Sequence, residues 1–154
     1  MAETYIKLWK YLFEKLTIEY DLHNLIWELN LYTYSSDSMK WYSGENYVDI
    51  IGYDKYNVEF KRHNGKTSGP NLDEESTIFY GLVKTGENKK MVALAENDSI
   101  PSLNNLKVEH AAWLYFNPWY GDFILSENNN AKSDVKEIYT SEYWGVYNNT
   151  YVRL

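Results

Sequence analysis

Apolar residues recur at helical spacing over residues 3–20, ETYIKLWKYLFEKLTIEY, where Tyr5, Leu8, Trp9, Leu12, Phe13 and Leu16 fall on one face. That spacing predicts an amphipathic helix. After the turn Asp21–Asn24 the pattern changes to short, mostly apolar runs. LIWELNL (25–31) reads as a strand interrupted by Glu28, YVDIIGYD (47–54) as a second and MVALAE (91–96) as a third. AAWLYFNPW (111–119) reads as a fourth, with Pro118 suited to a strand end. Helical patterns lie between and after these runs. EESTIFYGLVKTG (74–86) turns Ile78, Phe79, Leu82 and Val83 inward and stops at Gly86; AKSDVKEIYTSE (131–142) predicts a last helix. SIPSLNNL opens on a proline turn and holds a short helical piece. Residues 57–72, with Gly65, Gly69 and Pro70, read as an irregular loop.

Helices alternating with apolar strands predict a parallel sheet with helical crossovers. Two architectures fit, an open doubly wound sheet and a stretch of a (β/α)8 barrel. The first usually carries a glycine-rich turn after a strand, and none is present. Polar or aromatic residues instead recur at strand ends: Asn30 and Tyr32, Asp54 and Tyr56, Glu96 and Asn97, Asn117 and Trp119. In a parallel barrel those ends converge on the face where barrel enzymes build their sites. The pattern favours a partial barrel.

Composition sharpens this picture modestly. Of 154 residues, 44% are hydrophobic, which argues against disorder, and 18% are aromatic, with 6 Trp and 16 Tyr. Aromatic faces stack on sugars and bases, so the excess suggests a flat polar ligand; a Tyr-rich core explains it equally simply. The net charge of −7 and the lack of a basic stripe argue against DNA, RNA and anionic membranes as partners. No cysteine is present, so disulfides and thiolate metal sites are excluded. No apolar run reaches membrane-spanning length, and the first residues read as a helix, not as a signal peptide. His23, His63 and His110 share no ligand spacing and read as surface or turn residues. The Asn-x-Ser/Thr triplets at Asn97 and Asn148 occur at chance level.

Four stretches then resemble glycoside hydrolase family 26, the β-mannanase family: LWKYLFEKLTIEYDLHNLIW, WYSGENYVDIIGYDKY, MVALAEND and AAWLYFNPWYGDF. They occur in family order and cover roughly residues 5–142. The resemblance implies strands five to eight of a (β/α)8 barrel over residues 1–142, with 143–154 a divergent tail. It places Glu96 at the nucleophile position of a retaining mechanism. Asp54 and Tyr56 match a D-x-Y pair beside the nucleophile, with the Tyr56 hydroxyl orienting Glu96. Trp119 resembles a sugar-stacking platform at the cleavage subsite, and Trp41, in a W-Y-x-G segment, is expected to line the groove and bind substrate. Trp113, six residues before Trp119 and of the same parity, either points the same way nearer the barrel floor or belongs to the core. Glu28 departs from the family, where an apolar or small residue is usual; a barrel-facing or edge-exposed structural role is expected.

The implied function is hydrolysis of β-1,4-mannan, with no cofactor and no metal, in a parent enzyme that is secreted or at the cell surface. The alternative is a non-catalytic glycan-binding remnant of the same fold. The family's acid/base glutamate would lie upstream of Met1, so the chain alone is expected to turn over little or no substrate. Four strands leave two open sheet edges and an expected apolar inner face. The expected partners are β-mannan or a related polysaccharide, and either the missing N-terminal half of the barrel or a second copy.

Overall fold

The computed structural model describes residues 1–33, 35–56 and 73–141. The predicted irregular segment 57–72, His63, Asn148 and the 143–154 tail lie outside the described residues. Helix α1 (Ala2–Glu14) runs on into a π-turn over Lys15–Glu19. Strand β1 (Glu28–Leu31) follows, then two short 3-10 turns, Ser36–Trp41 and Glu45–Tyr47, and β2 (Ile50–Lys55). The chain continues through α2 (Asp73–Thr85), β3 (Met91–Asn97), α3 (Leu103–Lys107), β4 (Phe116–Pro118), α4 (Asp122–Leu125) and α5 (Lys132–Thr140). Each strand pairs in parallel with its neighbour in sequence, in the order β1-β2-β3-β4.

The strands alternate more strictly than their apolar character suggests. Leu29, Leu31, Ile51, Tyr53, Val92 and Leu94 join one buried cluster with Ile78, Phe79 and Leu82 of α2 and Ile138 of α5. The opposite parity carries Glu28 and Asn30 on β1 and Gly52 and Asp54 on β2. Side chains alternate across a strand, so this set forms a second face. That face is mixed, and not apolar throughout as expected: Glu28, Asn30 and Asp54 share it with Ile50, Met91 and Ala93. Glu28 and Asn30 are the visible half of an alternation, and not interruptions of a buried run.

Local chemistry sets the connections. Gly86 follows the last residue of α2, but the reversal itself falls on Glu87 and Asn88, at φ 54° and 58°. Gly86 is small for a different reason: a Cβ there would lie 2.8 Å from Ile51 Cδ1. Ser102 begins α3 with a reciprocal cap to Asn105, satisfying backbone donors at the helix start. Part of the aromatic excess packs α1 against the segments that lead into β1 and β2. Trp9 meets Trp27 at 5.7 Å, Phe13 meets Tyr47 at 5.0 Å, and the Trp9 indole donates to Tyr47 O at 2.8 Å.

The fourth strand is shorter than predicted. Residues before Phe116 follow local turns, with Trp113 N–H donating to Ala111 O at 2.9 Å, so a two-residue period does not carry back from Trp119. Trp113 is accordingly no wall of the site. It is 2% exposed and packs edge-on against Phe79 of α2, ring centroids 5.2 Å apart.

Candidate active site

The carboxyl ends of β2 and β3 supply the central pair. An irregularity after Tyr53 resets the register so that Asp54 stands beside Glu96. Residue Tyr56, just past β2, sends its hydroxyl across to Glu96, donating to Oε2 at 2.8 Å. Its ring lies edge-on to Phe123 of α4 at 5.4 Å. Burial, the bond to Glu96 and the charges of Glu96, Asp54 and Asp98 raise the Tyr56 hydroxyl well above the usual phenol range. Tyr56 therefore stays a neutral donor under ordinary conditions. Asp54 is raised too, first by burial and then by the charges of Glu96 and Glu28. Its Oδ1 accepts from the Asn30 amide at 3.0 Å.

Further down the same face, Glu28 Oε2 accepts from the Tyr115 hydroxyl, a contact between β1 and the residue just before β4. Burial, that hydrogen bond and the charges of Glu28 and Asp54 raise Tyr115 above its ordinary value. Gly52 makes room for this arrangement, because a Cβ there would collide with Asn30 Oδ1 and Glu28 Oε1. Glu28 thus takes part in a contact that spans the sheet, and its partner Tyr115 is a residue that sequence reasoning does not supply.

The two candidate tryptophans are placed differently. Trp119 follows β4, with its N–H donating to Asn97 O at 2.8 Å, so its backbone is tied to the strand that carries Glu96. Its side chain is 37% exposed and its ring lies 5.5 Å from that of Tyr120. Trp41 ends the 3-10 turn after β1 and packs edge-on against Tyr5 at 5.6 Å and Tyr32 at 6.5 Å. These three aromatics, with Leu29, Asn30, Leu31 and Ser38, line a pocket of about 350 Å³ beside β1. Glu96, Tyr56 and Asp54 are not among its walls. Asn97 is fully buried, which closes its Asn-x-Ser triplet to glycan attachment.

Behind the site lies a group with no warning in the motif-based reading. Lys55, between Asp54 and Tyr56, points to the helix side and is fully buried. Its ammonium lies 2.9 Å from Glu75 Oε1, 3.2 Å from Asp98 Oδ1 and 2.8 Å from Ser99 Oγ. Burial pushes the Glu75 carboxyl up to about 7, with Lys55 opposing the shift. One signal could have found Lys55: it shares the buried parity of Ile51 and Tyr53.

Chemically, the front of the sheet presents a half-buried carboxylate held by one neutral phenol, beside a second carboxyl and an exposed indole. Such a carboxylate can approach an electron-poor carbon, and the indole offers a flat apolar surface. Comparison with known proteins bears on this arrangement. The chain matches glycosyl hydrolase family 26 over residues 1–149. It is 34% identical over 134 residues to mannan endo-1,4-β-mannosidase B of Piromyces sp., covering 87% of this chain and 20% of that protein. A ruminal GH26 endo-β-1,4-mannanase of known crystal structure is 69% identical, with a TM-score of 0.83 over 93% of this chain and 30% of its own. The β-mannanase from a symbiotic protist of the termite Reticulitermes speratus, solved with gluco-manno-oligosaccharide, is 29% identical with a TM-score of 0.74. It is covered over 40% of its length, against 93% of this chain. The chain thus spans well under half of each of these relatives, and with that extent it belongs to glycosyl hydrolase family 26.

Proposed function

We propose that the chain is the part of a retaining endo-β-1,4-mannanase that carries the nucleophile. On this reading residues 1–142 form strands five to eight of the barrel, and 143–154 are a divergent tail. The observation that carries the proposal is the 2.8 Å hydrogen bond from Tyr56 to Glu96 at the carboxyl end of a parallel sheet. Glu96 attacks the anomeric carbon of a β-mannoside and the glycosidic oxygen leaves with a proton. Water then attacks the glycosyl–enzyme ester, releasing the sugar with retained configuration. Tyr56 holds the Glu96 carboxylate in line and relaxes its bond as negative charge drains into the ester. Asp54 and Asn30 offer hydrogen bonds to sugar hydroxyls, Trp119 stacks against a sugar face, and Trp41 lines the outer groove.

The leaving oxygen needs a proton donor opposite Glu96. Asp54 flanks Glu96 on the adjacent strand, and Glu28 is engaged with Tyr115 deeper on the face. On this reading the acid/base group comes from the rest of the barrel. General acid catalysis is worth roughly 10²–10⁴-fold, and the chain by itself is expected to leave β-mannan uncut. Reducing-sugar release from β-mannan, measured for the chain and for Glu96→Gln, tests this. No turnover in either is the expected result. Turnover by the unaltered chain that vanishes in the variant would place a proton donor within these residues.

A further inference from the structure

The buried cluster behind the sheet has no part in the chemistry above, yet its position bears on it. Lys55 lies between two front-facing residues, Asp54 and Tyr56, and Asp98 comes two residues after Glu96. The Lys55 ammonium joins Asp98 at 3.2 Å, while the Asp98 N–H donates to Lys55 O at 3.1 Å. A third anchor reaches the same point from α2, through Glu75 at 2.9 Å. The turn after β3 is held further by Asn130, whose amide donates to Asp98 O at 2.9 Å and whose Oδ1 accepts from Ile100 N–H at 2.8 Å. Buried ion pairs contribute little net stability against an apolar replacement, so a cluster of this kind is better explained by the geometry it imposes.

We propose that Lys55 is a positioning residue, whose bridge to Glu75 and Asp98 on the back of the sheet sets the separation of Tyr56 and Glu96 on the front. The bridge fastens the ends of β2 and β3 immediately beyond the register irregularity, where the ladder resumes with Asp54 beside Glu96 and Lys55 beside Asn97. Tyr56 and Glu96 sit one residue and two residues from its two ends. Loss of the bridge lengthens the Tyr56–Glu96 hydrogen bond without touching either residue. The inference rests on Tyr56 and Glu96 being the reactive pair, but its readout is the Tyr56 hydroxyl and not hydrolysis, so either can fail alone.

The test is ring-¹³C NMR titration of tyrosine in the 154-residue chain, with Tyr56→Phe assigning the resonance and Glu96→Gln giving the value without its carboxylate partner. The variant is Lys55→Met with Glu75→Gln, which removes one charge of each sign and keeps Asp98. Because one charge of each sign is removed, electrostatics alone leaves the Tyr56 pKa nearly unchanged. Positioning predicts a fall in proton affinity by about tenfold or more toward the Glu96→Gln value. A folded double variant in which Tyr56 titrates as before, or higher, overturns the proposal. Should the double variant not fold, Glu75→Asp keeps the charge but draws the carboxylate back by one methylene, which slackens the α2 anchor and, by electrostatics alone, leaves Tyr56 unchanged. A smaller fall in that variant supports the proposal and an unchanged Tyr56 overturns it.

Discussion

The two faces of the sheet treat charge in opposite ways. On the front, Glu28, Asp54 and Glu96 each have at least one neutral hydrogen-bond donor, from Tyr115, Asn30 and Tyr56 respectively. None of these three is paired with a described cation across that face. On the back, Lys55, Glu75 and Asp98 are locked in a dry cluster of opposite charges. Adjacent residues of one strand feed both faces, with Asp54 forward and Lys55 backward. Neutral donors orient a carboxylate while leaving its charge available for attack; a buried cation quenches it and fixes the backbone. Position relative to the sheet, and not residue type, decides whether a carboxylate here meets neutral donors or a buried cation.

Lys55→Met is expected to show the largest effect. It leaves Glu75 and Asp98 buried without their cation and costs about 3–5 kcal/mol, read as a lower denaturant midpoint. Glu96→Gln, on the front, is expected to stay within about 1 kcal/mol in the same measurement. Equal losses would erase the distinction between the faces. Tyr56→Phe comes next. Tyr56 orients the Glu96 carboxylate, and a misplaced reacting group costs up to about a hundredfold, so covalent trapping of Glu96 should slow by about ten- to a hundredfold.

The back cluster also predicts a pH signature. Glu75 rises from an ordinary 4.5 to about 7 on folding. Between those values the folded state holds a proton that the unfolded chain has lost, so this group's contribution to stability falls as pH rises through that window. The slope approaches about 1.4 kcal/mol per pH unit and then levels off above the folded value. Denaturation at a series of pH values, with Glu75→Gln removing the slope, checks it. Front-face Tyr56 and Tyr115 act in the same direction but only in alkali, because their raised hydroxyls keep protons past pH 10 that unfolded tyrosine gives up. The smallest effect is expected at exposed Trp119. Trp119→Ala should change stability by under about 0.5 kcal/mol. It should weaken mannooligosaccharide binding by about 0.5–1.5 kcal/mol, measured by calorimetry.

Much of the fold was legible because periodicity is local. Apolar spacing over 3–20 and 74–86 anticipates α1 and α2, and the runs at 25–31, 47–54 and 91–96 each contain a strand. The parallel order follows from the helices between them. The inner face was less legible. Glu28 and Asn30 sit in a seven-residue run that reads as mostly apolar, and only pairing with Gly52 shows that they share a surface. Sequence left Trp113 between a barrel-facing and a core position; it is core, because parity counts only within a strand and β4 begins at Phe116. The contact of Tyr56 with Glu96 joins residues 40 apart, beyond any local pattern, and the family resemblance alone suggested it. The Lys55 cluster was missed because a lysine between two site residues reads as solvated until the sheet shows which way it points.

The most direct test of Glu96 as nucleophile uses a substrate that needs no acid. In a 2-deoxy-2-fluoro-β-mannobioside the dinitrophenolate leaving group departs without protonation, so no proton donor is required, and the fluorine slows hydrolysis of the ester. Mass spectrometry of the treated chain, intact and after proteolysis, reads the result. The account predicts one glycosyl adduct, on the peptide bearing Glu96, absent in Glu96→Gln. An adduct on another carboxylate, or an unmodified chain under conditions that label a complete family 26 mannanase, would contradict it.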